Sequence, residues 1–174
     1  AGYTAANNIF GFLYVSVNAI TQACMSFTSQ NYGLRKLKRM DKILMDCLIL
    51  TVVVSLVLGG GVYLFGAEIL RLYTEEAEVI RCGIEIFAYT TVTYFLCGIM
   101  DLFPGALHGM DRSTVPMILS VIGTVGTRIV WVFWLFPAHR SLAFLFISYP
   151  ASWTFTIIMQ VICFICVRKI VNRR

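Results

Sequence analysis

The chain has 174 residues, of which 59% are hydrophobic and 13% charged, with a mean hydropathy of +0.80. An ordinary soluble domain is about a quarter charged; nine acids and fourteen bases are too few to coat a soluble surface, so lipid must replace the polar coat. The net charge of +5 does not mark a nucleic-acid partner, because the bases gather at 35–42 and 168–174 beside apolar runs and no aromatics are interleaved to stack on bases.

A hydrocarbon core of about 30 Å needs about 20 helical residues. Five segments reach that length: 5–30, 43–65, 84–107, 115–136 and 142–170. None has the period-2 alternation of a barrel strand. The expected fold is therefore an all-α integral membrane bundle of five transmembrane helices. The opening "AGYTAANN" lacks Met and a basic leader, which predicts a piece of a longer protein without a signal peptide.

Span one carries Asn7, Gly11, Tyr14, Asn18, Gln22, Ser26 and Ser29 at steps of three or four. That spacing places them on one helical stripe. Amides in hydrocarbon are costly without partners, so the stripe either bonds to neighbouring helices or lines a wet cavity. Its length across the membrane favours the cavity.

The following loop, "NYGLRKLKRMDK", offers Gly33 as a C-cap and then a basic run. In span two, "LGGG" (Gly59, Gly60, Gly61) allows close helix approach or a local break. "YTEEAE" supplies Thr74 as an N-cap, with Glu75, Glu76 and Glu78 at the positive end of the next helix. Span three holds Glu85 near one end and Asp101 near the other. In "MDLFPGALHGMDRSTVP", Pro104, Gly105 and Gly109 are expected to end that helix. Ser113 or Thr114 caps the next, with Pro116 in its first turn.

Arg128 falls about twelve residues into span four, near mid-membrane. An intramembrane arginine is a functional candidate by default; a carbonyl, acid or snorkelled partner is the structural alternative. Asp101 differs from it in depth by roughly 9 Å, so an ion pair between them needs a long reach. "FPAHRS" offers Pro137 and the cap Ser141, and Pro150 should kink span five.

Six cysteines (Cys24, Cys47, Cys82, Cys97, Cys163, Cys166) lie in or beside apolar runs. Cys163 and Cys166 share a helix face, but no second pair completes a zinc set. Packing as small apolar groups is expected, and no cofactor.

Loop charge orients the bundle. One side collects ten bases: Arg35, Lys36, Lys38, Arg39, Lys42, Arg112, Arg168, Lys169, Arg173 and Arg174. The other has three, Arg71, Arg81 and Arg140. The ten-base side is expected to be cytoplasmic, so span one enters from outside and the C-terminus ends inside.

Taken together, these motifs resemble the multidrug and toxic compound extrusion (MATE) family. "SFTSQNYGLRKLKR", with Gln30, Asn31 and Gly33, resembles its Q-N-x-G-A-x-x-x-x-R stretch. "LRLYTEEAEVI" resembles an outer loop. "GALHGMDRSTVPM", with Gly105, Gly109 and Pro116, resembles its G-x-L-R-G-x-G-x-S-x-x-P loop. "GTRIVWV" and "YPASW" follow in the family's order.

The resemblance implies that residues 1–174 are part of a six-helix C-terminal lobe, spans eight to twelve, of a twelve-helix transporter whose N-terminal lobe is missing here. It implies a multidrug efflux antiporter in the plasma (inner) membrane. Such a protein exports small organic, often cationic compounds in exchange for Na⁺ or H⁺ by alternating access. The stripe of Asn7, Tyr14, Asn18, Gln22 and Ser26 would then line the cavity, with Tyr14 suited to cation–π contact.

Two positions depart from the family. His108 stands where it usually has arginine, and Asp111 where it usually has glycine. The acid that some members use for coupling falls near Cys97, one turn before Asp101, so Asp101 is not its direct match and the family's ion site is not carried over to it. His108, Asp101, Asp111 and Arg128 are candidates for gating or ion contact on their own positions. The alternatives are a lipid-linked oligosaccharide flippase of the same superfamily, which tends to bury more cavity charge, and a membrane enzyme built on His108, Asp111 and Asp101.

Overall fold

The computed structural model describes the backbone of residues 2–71, 76–90, 94–135 and 142–172; the side chains of 2–7, 79, 82, 85–86, 88–90, 135 and 142–146 are outside the description. Thr74, Glu75, Pro137, Arg140, Ser141, Arg173 and Arg174, and the side chains of Asn7, Cys82 and Glu85, therefore lie outside the described residues. Among the described residues every regular element is helical.

Helix α1 spans Gly2–Gly33, α2 Leu37–Arg71, α3 Ala77–Thr90 and α4 Tyr94–Gly109. The fourth crossing is α5 (Thr114–Val121), a π-helical turn at Ile122–Gly126, α6 (Thr127–Val130) and a second π-helical turn at Trp131–Leu135. Helix α7 is Leu142–Asn172. Four described stretches are long and apolar enough to cross a bilayer: Asn8–Gly33, Leu37–Arg71, Thr114–Trp134 and Ile147–Asn172. The outward faces carry Phe12, Leu64, Phe133 and Trp134, all 72–82% exposed, as lipid contact requires.

The helices run past the apolar segments that define them. Helix α2 begins at Leu37, inside the basic run, because Lys and Arg are good helix formers and the backbone can stay helical once it leaves the hydrocarbon. Gly59, Gly60 and Gly61 lie inside this continuous helix, so "LGGG" makes no break. A Cβ on Gly60 or Gly61 would meet nothing within 4 Å. Pro150 also sits within the single helix α7.

Helix α4 is the centre of the bundle, packed on α1, α2 and α7. Its glycines form the seam with α1. A Cβ on Gly98 would stand 2.7 Å from Val17 Cγ1, on Gly105 2.7 Å from Thr21 Cγ2, and on Gly109 2.6 Å from the Met25 carbonyl. Small residues let helix backbones approach where lipid provides no hydrophobic drive. The partners rise in number together, so α1 and α4 run parallel. Phe103 on Phe164 (5.9 Å) and Tyr94 on Trp153 (6.2 Å) give α7 the same direction.

The α5–α6 crossing runs against α7. The buried Gln160 amide donates to the Pro116 carbonyl (2.8 Å) and the Ser120 hydroxyl (2.9 Å). Further along, Gly123 lies against Thr156. Pro116 is thus a buried first-turn residue whose carbonyl is claimed by another helix. Ser113 occupies the N-cap position but makes no side-chain cap bond.

Two helix ends differ from expectation. Gly33 is the last helical residue of α1, and the left-handed residue is Arg35 (φ 54°). Lys36 N–H donates to Asn31 O (2.9 Å) and Arg35 N–H to Tyr32 O (3.0 Å), a Schellman motif. In α4, Pro104 and Gly105 lie inside the helix, and Gly109 is its last residue. Asp111 (φ 58°) takes the left-handed place there, with Arg112 N–H on Leu107 O (3.0 Å) and Asp111 N–H on His108 O (2.9 Å). A glycine is not required at such a position if Asp or another tolerant residue fills it.

Candidate functional site

The buried side of α1 is Ile9, Leu13, Val17, Ile20, Cys24 and Thr28. The polar stripe is left on the other side: Gly11, Tyr14, Gln22, Ser26 and Ser29 are exposed and Asn18 is half-buried. No hydrogen bond reaches the Asn18 or Gln22 amides among the described residues. The stripe is thus not the glue of this bundle. Asn7 belongs to the same helix, with its side chain outside the described residues.

Asp101 borders the stripe. It is half-buried on α4, within electrostatic reach of Tyr14 on α1 and of Tyr94 and Cys97 on its own helix. Among the described residues no ion pair or hydrogen bond engages its carboxylate. Tyr14, Asn18 and Gln22 thus share one face of α1, and Asp101 lies near the Tyr14 end of it. Their chemistry suits a weakly hydrated organic cation: a ring face, amide oxygens and a carboxylate.

Arg128 is held apart from that surface. Its Nε donates to Ser152 Oγ (3.4 Å), and its guanidinium lies 4.2 Å from the centroid of the Tyr149 ring. No ion pair joins it to Asp101 among the described residues. Cys97 lies within electrostatic reach of both charges. The contact with Tyr149 ends an aromatic chain: Tyr149 on Trp153 (6.0 Å), Trp153 on Tyr94, Tyr94 stacked on Phe10 (5.8 Å) and Phe10 on Phe87 (5.7 Å). Tyr94 also donates to the Phe10 carbonyl (3.3 Å). Each such pair contributes about 0.5–1.5 kcal/mol beyond burial, so Arg128 is tied into the bundle's main aromatic core. The two π-helical turns, at Ile122–Gly126 and Trp131–Leu135, bracket it; such turns are frequent at functional sites.

His108 is exposed at the end of α4. It is seven residues from Asp101, about 10 Å along the axis, and only its backbone carbonyl meets Asp111. His108, Asp111 and Asp101 therefore do not converge as an acid–base cluster. The motif residues Gln30, Asn31 and Gly33 end a helix: Asn31 donates to Phe27 O (2.8 Å) while its own carbonyl accepts from Lys36. Gly105 and Gly109 serve the α1 seam, and Pro116 the α7 seam. Of the C-x-x-C pair, Cys163 packs with Met40, Leu107 and Met110, whereas Cys166 is exposed; both are free thiols. No group of three or more metal-ligating side chains occurs among the described residues.

Sequence reasoning passed over Gln160 and Tyr149. The signal for Gln160 was present, an amide inside an apolar run, and the cost argument applied to Asn18 holds for it too. Tyr149 has no local signal, because its role depends on Arg128 arriving from another helix. Thr51 Oγ1 and Ser55 Oγ are buried near Gly98 without a hydrogen-bond partner among the described residues.

A solved "multidrug resistance MATE family transporter of the MOP superfamily", in an inward-facing conformation, superposes with a TM-score of 0.84 over 99% of this chain at 16% identity. The curated "Probable multidrug resistance protein YoeA" of Bacillus subtilis (strain 168) is 20% identical over 161 residues, 91% of this chain. This chain spans 35% of that relative and 40% of that solved structure. The sequence profile of the MatE family matches residues 1–134; the chain belongs to the MatE family, a family of membrane transporters and not of enzymes.

Proposed function

We propose that the chain is part of the C-terminal lobe of a multidrug efflux antiporter, exporting small organic, often cationic compounds against Na⁺ or H⁺ by alternating access. The observation that carries this is the unpartnered polar stripe of α1 beside Asp101, on a face that the other described helices leave open. A cavity wall must be polar and still unsatisfied within its own lobe, since its partners are substrate and water. Tyr14, Asn18 and Gln22 contact substrate, and Asp101 is the gating or ion-contact group. The ten-base end is the cytoplasmic side and the C-terminus lies there. The names of the similar proteins agree with drug export. The flippase reading is weaker because Arg128, the one base in mid-span, is engaged by Ser152 and Tyr149 and is not presented to an anionic cargo.

The test is efflux by the full-length protein in vesicles with imposed Na⁺ or pH gradients. Asn18→Ala with Gln22→Ala should lower gradient-driven export of a cationic dye at least about tenfold, equivalent to about 1.4 kcal/mol, with an unchanged unfolding midpoint. Export left intact by this pair, together with a hydrolytic activity abolished by His108→Ala, would reverse the reading.

A further inference from the structure

The turn after α1, the turn after α4 and the last turn of α7 meet at one end of the bundle. Between them lies a recess of about 470 Å³ lined by Tyr32, Arg35, Leu37, Arg112, Ile170 and Asn172. The volume falls in the range of small-ligand sites. Its polar side chains are two guanidiniums, a phenol and an amide, all able to donate hydrogen bonds. Among the described residues no carboxylate lines it. Arg35 and Arg112 are 77 residues apart in sequence, and the two Schellman turns bring them to one place.

Nothing described in the bundle uses these two guanidiniums. The last carbonyls of α1 and α4 are already taken by backbone N–H groups, so the arginines are not needed as caps. Among the described residues neither side chain has a hydrogen bond or ion pair. Arg168, by contrast, is neutralised by a bidentate pair with Asp41 (2.9 and 2.8 Å). A neighbouring recess of about 500 Å³ shares Arg112 but contains Asp111, whose carboxylate would repel an anion. The flank of the first recess is apolar, through Leu37, Ile170 and Val171, and Ile170 is 52% exposed.

We propose that this recess binds the headgroup of an anionic phospholipid, with the phosphate between Arg35 and Arg112 and the acyl chains along Ile170 and Leu37. Bidentate guanidinium–phosphate bonding suits the two arginines, and basic recesses between helices at the cytoplasmic face hold such headgroups. The site rests on the orientation given under the proposed function, not on drug export.

The experiment is native mass spectrometry of the full-length protein titrated separately with phosphatidylglycerol, phosphatidylcholine and glycerol phosphate. Phosphatidylglycerol should bind at least about tenfold more tightly than phosphatidylcholine. Arg35→Gln and Arg112→Gln should each weaken it about fivefold, the effect of one base near an anionic surface. Ile170→Asp should also weaken it with both bases kept. Melting curves of the three variants should match the parent. Equal binding of the two lipids, or anionic-lipid binding unaltered in both arginine variants, overturns the site. Glycerol phosphate binding as tightly as phosphatidylglycerol overturns the lipid and assigns a soluble phosphate. Gradient-driven export is measured separately, so loss of lipid binding with export intact leaves the transport reading standing.

Discussion

The α1–α4 seam and the α5–α7 seam solve the same problem with different weights on the same two devices. On the first, Gly98, Gly105 and Gly109 bring backbones together, and the amides of α1 are left unused on the far side. On the second, Gly123 also sits close to Thr156, but polar side chains add most of the specific contacts: Gln160 grips Pro116 and Ser120, and Arg128 meets Ser152 and Tyr149. Helices in lipid can associate through close packing or through hydrogen bonds. Helix α1 packs through apolar side chains and close backbone approach, and its Asn18 and Gln22 amides take no part in that contact. The residues of the proposed cavity wall are ones that no described neighbour engages by a hydrogen bond.

The largest effect should come from breaking the glycine seam. Gly109→Val would place a Cβ 2.6 Å from the Met25 carbonyl and 3.1 Å from the Ser29 nitrogen. Those are backbone atoms, which cannot swing aside, and overpacking of this kind costs about 1–3 kcal/mol. A lowered unfolding midpoint in detergent checks it; an unchanged midpoint would mean that the seam is looser than drawn.

On the other seam, Gln160→Leu removes the amide and both of its bonds. Interhelical hydrogen bonds in membranes contribute about 0.6 kcal/mol on average, so a smaller loss is expected, about 0.6–2 kcal/mol for the two. If Gln160→Leu proves more damaging than Gly109→Val, the ranking of the two seams is inverted. The smallest effect lies at the α4 turn. Asp111→Gly relieves a left-handed backbone and should stabilise by less than about 1 kcal/mol, measured as a slight rise in the same midpoint.

How much of this was legible beforehand depends on the range of the interaction. The stripe on α1 follows from spacing alone, since helical periodicity fixes which residues share a face. Whether that face is used by neighbours does not follow. Asn18 and Gln160 are both amides in apolar runs, yet among the described residues one has no hydrogen-bond partner and the other is buried between helices. Gly33 was a fair C-cap candidate by residue type. Arg35 takes the left-handed position because the Schellman bonds from Arg35 and Lys36 close there. Residue preference is a fraction of a kcal/mol to about 1–2 kcal/mol, and a pair of well-made hydrogen bonds can outweigh it.

Composition and apolar length by themselves determined that this is a helical membrane protein. Charge asymmetry suggested its orientation, and ordered motifs pointed to the family that the matches then established. These properties are sums over many residues or local patterns, so they survive without coordinates. The tertiary structure decided which polar groups are spent and which are free. It tied Arg128 into the aromatic core, separated His108 from Asp101, and gathered Arg35 and Arg112 around one recess. Those outcomes depend on contacts between residues dozens of positions apart, which no local pattern encodes.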